Sequence, residues 1–177
     1  MTRLDKLISS LAFLFVVTGG VVSAQVTPPV SATGHIVAEI IPVFTATETS
    51  QMNFGRFAPG PQGGEIILSP ESTISVLGTV YKGTGIHNAA SFYVSGDVDA
   101  AYSITLPSDP VVLKHTDNSK IIRVEDWVSV PAPGPGSGML QDGFQEVYVG
   151  ATLKVGSLAD NPVGIYTGTY TITFDFN

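Results

Sequence analysis

Apolar residues along this chain recur mostly with a period of two. The clearest run is the last, where Tyr170, Ile172, Phe174 and Phe176 alternate with Thr169, Thr171, Thr173 and Asp175. Strict alternation marks a strand with one buried face and one wet face. Val147, Val149, Ala151, Leu153 and Val155 make a second such face, and Tyr102, Ile104 and Leu106 a third. Shorter strands are predicted at 65–69, 73–80, 91–95, 111–114 and 121–127. Residues 35–44 are apolar on both faces, interrupted by Glu39 and ended by Pro42, a pattern that predicts a strand covered on both sides or one switching sheets. Turn chemistry separates the runs: Gly55, Pro59 to Gly64, Gly83-Thr84-Gly85, Pro107 to Pro110 and Asp117-Asn118. The longest irregular stretch, Pro131-Ala132-Pro133-Gly134-Pro135-Gly136-Ser137-Gly138, predicts an exposed loop. No window has helical periodicity of useful length. The pattern predicts an all-β, antiparallel, immunoglobulin-like sandwich of one domain, with a closed barrel as the alternative.

The N-terminus departs from this pattern. Arg3 and Lys6 precede an apolar run from Leu7 to Val22, and Val22-Ser23-Ala24 offers the small residues at which a secretory leader is cut. Residues 1–24 are therefore expected to be a cleaved signal peptide, residues 25–33 an N-terminal arm, and residues 34–177 the sandwich. The apolar run is short of the ~20 residues a membrane-spanning helix needs, and no second run of that length follows. No membrane span is expected once the leader is gone. The protein is expected outside the cytoplasm, in the periplasm, at the cell surface or in the surroundings.

Charge and composition narrow the functional classes. The formal net charge of the 177 residues is −7, and losing Arg3, Lys6 and Asp5 with the leader makes it −8. A nucleic-acid groove needs clustered Lys and Arg to displace counterions, so no nucleic-acid partner is expected. The absence of cysteine removes disulfides, thiolate metal sites and cysteine nucleophiles. His35, His87 and His115 lie far apart without metal-binding spacing. Gly83-Thr84-Gly85 precedes no helix that could cradle phosphate, and no GxSxG element is present. Neither a catalytic residue, a cofactor nor a metal is expected. Trp127, beside Glu125 and Asp126, together with Tyr148, raises a different chemistry, aromatic stacking on a sugar ring. The bland reading is that a lone Trp in a sandwich belongs to the core.

Several motifs together resemble one family. These are Val37-Ala38, Met52-Asn53-Phe54-Gly55-Arg56-Phe57, Gly63 through Pro70, Ala90-Ser91-Phe92-Tyr93-Val94-Ser95-Gly96, Tyr102 through Pro107, Val149-Gly150-Ala151-Thr152-Leu153, and Gly164-Ile165-Tyr166-Thr167-Gly168-Thr169-Tyr170. The series resembles the bacterial secreted domain-of-unknown-function family 4402. More distantly, it is similar to spore-coat-U-type and other chaperone–usher pilin subunits. Those end with a glycine fourteen positions from the C-terminus and a penultimate aromatic, positions held here by Gly164 and Phe176. Pilins commonly carry a cysteine pair near the first strands, which this chain lacks.

The likeness implies a sandwich missing one strand, completed by a neighbour's N-terminal extension, with like subunits and a periplasmic chaperone as partners. On that reading Gly164, Tyr170, Ile172, Phe174 and Phe176 serve assembly, and residues 25–33 are the donated strand with Val26 and Val30 as anchors. Pro28 and Pro29 count against donation, since each removes a ladder donor. A solvated arm is the equal alternative. The function expected is that of a non-enzymatic structural or adhesive protein, a pilin-like fimbrial subunit. The alternatives are a secreted carbohydrate-binding module using Trp127 and Tyr148, and a hydrolase.

Overall fold

The computed structural model describes residues 27–176. The chain divides into two units, Met1–Ala38 and Glu39–Asn177. In the first, the described residues 27–38 are exposed and outside any helix or strand. In the second, every regular element is a strand: β1 Thr45–Ser50, β2 Phe57–Leu68, β3 Ile74–Lys82, β4 Ala90–Ser95, β5 Ala101–Thr105, β6 Val111–His115, β7 Ile121–Val130, β8 Gly134–Met139, β9 Phe144–Val155, β10 Tyr166–Thr167 and β11 Thr173–Phe176. All ladders are antiparallel.

The larger sheet runs β1-β4-β9-β7-β6-β10, with β2 joined to β9 and β3 to β2; the smaller runs β11-β5-β8. Each sheet ends in edge strands, so the fold is an open antiparallel sandwich rather than a closed barrel. The spine is β9. Its first half pairs with β4 along one edge and its second half with β2 along that same edge, while β7 takes the other. The handover between β4 and β2 falls at Gly150, where any Cβ would run into the Leu68 carbonyl as β2 turns out of the sheet.

Alternation becomes packing as the pattern predicts. Val147 and Val149 enter one core cluster with Ala90, Val94, Tyr102, Ile104 and Leu140. Ala151, Leu153 and Val155 enter a second with Ile66, Val80, Ile122 and Val124. Met52 and Trp127 touch both clusters. A bulge in β7 between Glu125 and Val128, with Asp126 at φ 51°, inserts the extra residue that turns Trp127 toward the interior.

Two expectations need correction. The glycine-rich stretch predicted as a loop contains β8, which pairs with β5. Glycine serves packing here, because a Cβ on Gly138 would enter the ring of fully buried Tyr102. Residues 35–43, predicted to be covered on both faces or switching sheets, form no strand and are exposed, with Ile36 and Ile40 each 97% accessible. Hydrophobicity says that a segment gains by leaving water but does not by itself provide a ladder partner, and these residues have none.

Candidate functional site

The C-terminal strand is held first at its foot. His115, at the end of β6, is buried; its Nδ1 accepts the Asp117 amide at 2.9 Å, which leaves Nε2 to donate to the Val163 carbonyl at 3.1 Å. Tyr166 meets the imidazole edge-on at 4.9 Å and donates from its hydroxyl to the Pro162 carbonyl at 2.9 Å. A Cβ on Gly164 would run into His115 Nε2. Gly164 is therefore required by the local packing of its own chain.

Above this foot the strand changes sheets. Tyr166 and Thr167 pair with His115 and Lys114 of the larger sheet; Thr173 to Phe176 pair with Thr105 to Tyr102 of the smaller. Residues 168–172 between them belong to neither ladder. Tyr170, Ile172 and Phe174 point inward but are only half-buried. Tyr170 packs 4.7 Å from Trp127 and 6.4 Å from Phe92, and Phe174 lies 5.8 Å from Phe92 and 6.1 Å from Tyr102. Phe176, 50% exposed, sits 5.8 Å from Phe44.

Facing this strand is β1, an edge of the larger sheet. Ala46 and Glu48 are paired with Val94 and Phe92, so they share the inward face, yet both are exposed. The inner face of the sandwich is uncovered at β1. Burial raises the Tyr170 pKa, and the nearby Glu48 carboxylate adds to the rise. The Tyr170 hydroxyl and the Trp127 indole N–H are both buried without a hydrogen-bond partner, which costs folding free energy. Two unpaired edges thus border one seam, floored by aromatic side chains. Phe44 opposite Phe176 and Glu48 near Tyr170 show that β1 and the C-terminal strand run antiparallel along it.

The structure brings Tyr170, Ile172, Phe174 and Phe176 together at this seam and places Gly164 at its foot. Val26 lies outside the described residues, as does the leader. Val30 is almost fully exposed. Trp127 is partly buried against both core clusters, whereas Tyr148 projects from the opposite face of the larger sheet and donates from its hydroxyl to Glu146. Ala46 and Glu48 were not legible as seam residues, because Thr-Ala-Thr-Glu-Thr-Ser carries no hydrophobic alternation.

The family described as Domain of unknown function (DUF4402) matches residues 44–176. The chain belongs to this family. No curated protein and no solved structure matches it. The DUF4402 match begins at Phe44, the residue that closes one end of the seam, so both borders of the seam lie inside the family domain and residues 27–43 precede it. Among the described residues of this DUF4402 protein, no cluster of three or more His, Asp or Glu could hold a metal ion, and no helix is long and apolar enough to cross a membrane. Elsewhere on the domain, a shallow depression is lined by Lys120, Arg123, Lys154 and Asp160. Its Lys154 is occupied, bound to Glu65 and Asp126 at 2.9 Å each.

Proposed function

We propose that this DUF4402 protein is an exported, non-enzymatic structural or adhesive protein of the bacterial surface, a pilin-like subunit whose open sandwich accepts an added strand. The observation that carries this reading is the seam. An edge with unpaired backbone groups beside half-buried rings is an aggregation hazard in a solitary protein, and a binding site in one that assembles. Backbone hydrogen bonds to residues 168–172 supply affinity, while the spaced side chains Tyr170, Ile172 and Phe174 set register. Like subunits are the partners, with a chaperone holding the seam before assembly. The carbohydrate-binding alternative has weaker support, since Trp127 is partly buried against the core clusters and Tyr148 lies on the opposite face of the sheet, so the two cannot form one stacking platform.

Export and assembly are tested together by producing the full chain in a bacterium, digesting intact cells with protease, and sedimenting the material released from their surface. Protease-accessible, sedimenting oligomers are expected. Ala46→Arg, which charges the seam at an exposed position, should leave only slowly sedimenting monomer. A protein that stays inside the cell, or whose surface form is monomeric with or without Ala46→Arg, overturns the reading.

A further inference from the structure

We infer that the outer face of the larger sheet, around Tyr93, Phe144, Glu146 and Tyr148, binds a polysaccharide that carries free amino groups. This surface is separate from the seam and lies on the side of the sheet away from the core. Ladder register arranges it in rungs, because residues directly opposite in an antiparallel pair share a face. Thr47, Tyr93 and Glu146 are opposite one another across β1, β4 and β9, and so are Thr45, Ser95 and Phe144. Ser91, Tyr148 and Val130 make a third rung across β4, β9 and β7.

Three rings therefore surround one carboxylate. Tyr93 sits across the ladder from Glu146, while Phe144 and Tyr148 flank it at two-residue spacing on the same face of β9. Tyr93 and Phe144 stack at 5.6 Å with their planes 18° apart. Even so, Tyr93, Phe144 and Tyr148 remain 40%, 46% and 40% exposed, and none of them belongs to a core cluster. Grouped aromatic surface left in water marks a place where a partner is covered.

The carboxylate sets the sign of that partner's charge. Tyr148 donates its hydroxyl to Glu146 Oε2, and that bond raises the Tyr148 pKa. Glu146 Oε1 has no partner among the described residues, and neither β1, β4 nor residues 144–150 carries a lysine or arginine. An unpaired carboxylate framed by ring faces attracts a cation, both by charge and through the negative faces of the rings. The chain's formal charge of −7 acts in the same direction and repels acidic polymers. A second copy would bring a like carboxylate to this face, so charge opposes self-pairing here.

The neighbouring groups select the carrier of the cation. A quaternary ammonium has no N–H to give Glu146, and a lysine side chain has no use for the hydroxyls beside it. Thr45 and Ser95 are hydrogen-bonded to each other at 2.9 Å, and Thr47 is exposed next to Tyr93. Such hydroxyls both donate and accept, as sugar hydroxyls do. An amino sugar supplies an ammonium for Glu146, C–H faces for the rings and hydroxyls for this row. An open sheet face, unlike a pocket, admits the interior of a polymer.

The test is titration calorimetry of the protein with a glucosamine oligomer, its N-acetylated counterpart, a glucose oligomer of the same linkage and a lysine oligomer. The glucosamine oligomer is expected to bind at least about tenfold more tightly than each of the others. Glu146→Gln keeps the side chain's size and its acceptor for Tyr148, and should weaken glucosamine binding about tenfold. Asp109→Asn, which removes the same charge from an exposed loop, should weaken it less than about twofold. Tyr93→Ala should cost several-fold in affinity while the thermal midpoint stays close to that of the parent. Equal losses in Glu146→Gln and Asp109→Asn would reduce the binding to net charge and overturn the inference. Equal affinity for the acetylated, glucose or lysine oligomer would overturn it too, as would no binding at all. Ala46→Arg acts on the other face of β1 and should leave glucosamine affinity within about twofold, so this inference and the acceptor reading fail separately.

Discussion

Two strands of this domain look alike in sequence and differ in structure. β9 and the C-terminal run each alternate apolar and polar residues over about the same length, and each points its apolar residues inward. In β9, Val147, Val149, Ala151 and Leu153 are essentially inaccessible; one edge is laddered along nearly its whole length and the other from Tyr148 to Lys154. In the C-terminal run the larger side chains Tyr170, Ile172 and Phe174 remain half-buried, and ladders exist only at the two ends, on different sheets. Alternation reports which face of a strand is apolar. It does not report whether the strand has neighbours on both edges or a layer across from it.

The comparison can be broken most severely at its rigid end. Gly150→Val places side-chain atoms against the backbone of Leu68, Ser69 and Pro70, where nothing flexible can give. A loss of about 4 kcal/mol or more is expected, or failure to fold, read from urea denaturation. A loss under about 1 kcal/mol would mean that the β4-to-β2 handover is looser than its geometry.

A paired truncation sharpens the contrast between the two strands. Leu153→Ala in β9 is expected to cost about 2–5 kcal/mol. Phe174→Ala removes a larger side chain but from a half-covered site, and is expected to cost about half as much. Equal losses, or the reverse order, would show that the aromatic row is as closed as the spine.

Alkaline pH probes the rings between the sheets. Burial pushes the Tyr102 pKa up to about 12, from an ordinary value near 10. The folded state therefore holds this proton more tightly than the unfolded chain does. Stability from this group is intact below pH 10, declines between pH 10 and about 12, and is lost above that. Tyr170, raised by burial and then by Glu48, adds to the same alkaline loss. Tyr102→Phe should flatten part of the decline in thermal midpoint above pH 10, at the cost of the hydroxyl's 2.8 Å donation to Gln145. An unchanged slope in that variant would assign the loss elsewhere.

The smallest effect is expected at the surface. Hydrogen bonds to Asp126 and then Glu65 hold the Lys154 pKa well above the usual lysine value. Both pairs are solvent-accessible, so Lys154→Met should change stability by less than about 1 kcal/mol, and still less at high salt. A larger loss would show that this cluster clamps β2, β7 and β9 together.

The period-two pattern, the turn residues and the absence of helical periodicity were enough to predict the all-β class and the inward faces of β5, β9 and β11, because side-chain direction along a strand is a local property of the backbone. The aromatic residues of the C-terminal run were legible as a group for the same reason. Other features depended on contacts distant in sequence. Gly138 reads as a loop residue until the Tyr102 ring is found beneath it, and Gly164 reads as spacing until His115 fills the place of its side chain. Residues 35–43 read as core because hydrophobicity says only that a segment gains by leaving water, not which surface receives it. The polar composition of β1 concealed its place at the seam. Sequence by itself thus determined the strand-forming character, the apolar faces and the family. Tertiary structure alone decided which edges stay unpaired and which apolar residues stay exposed, since pairing and coverage depend on how distant segments meet in space.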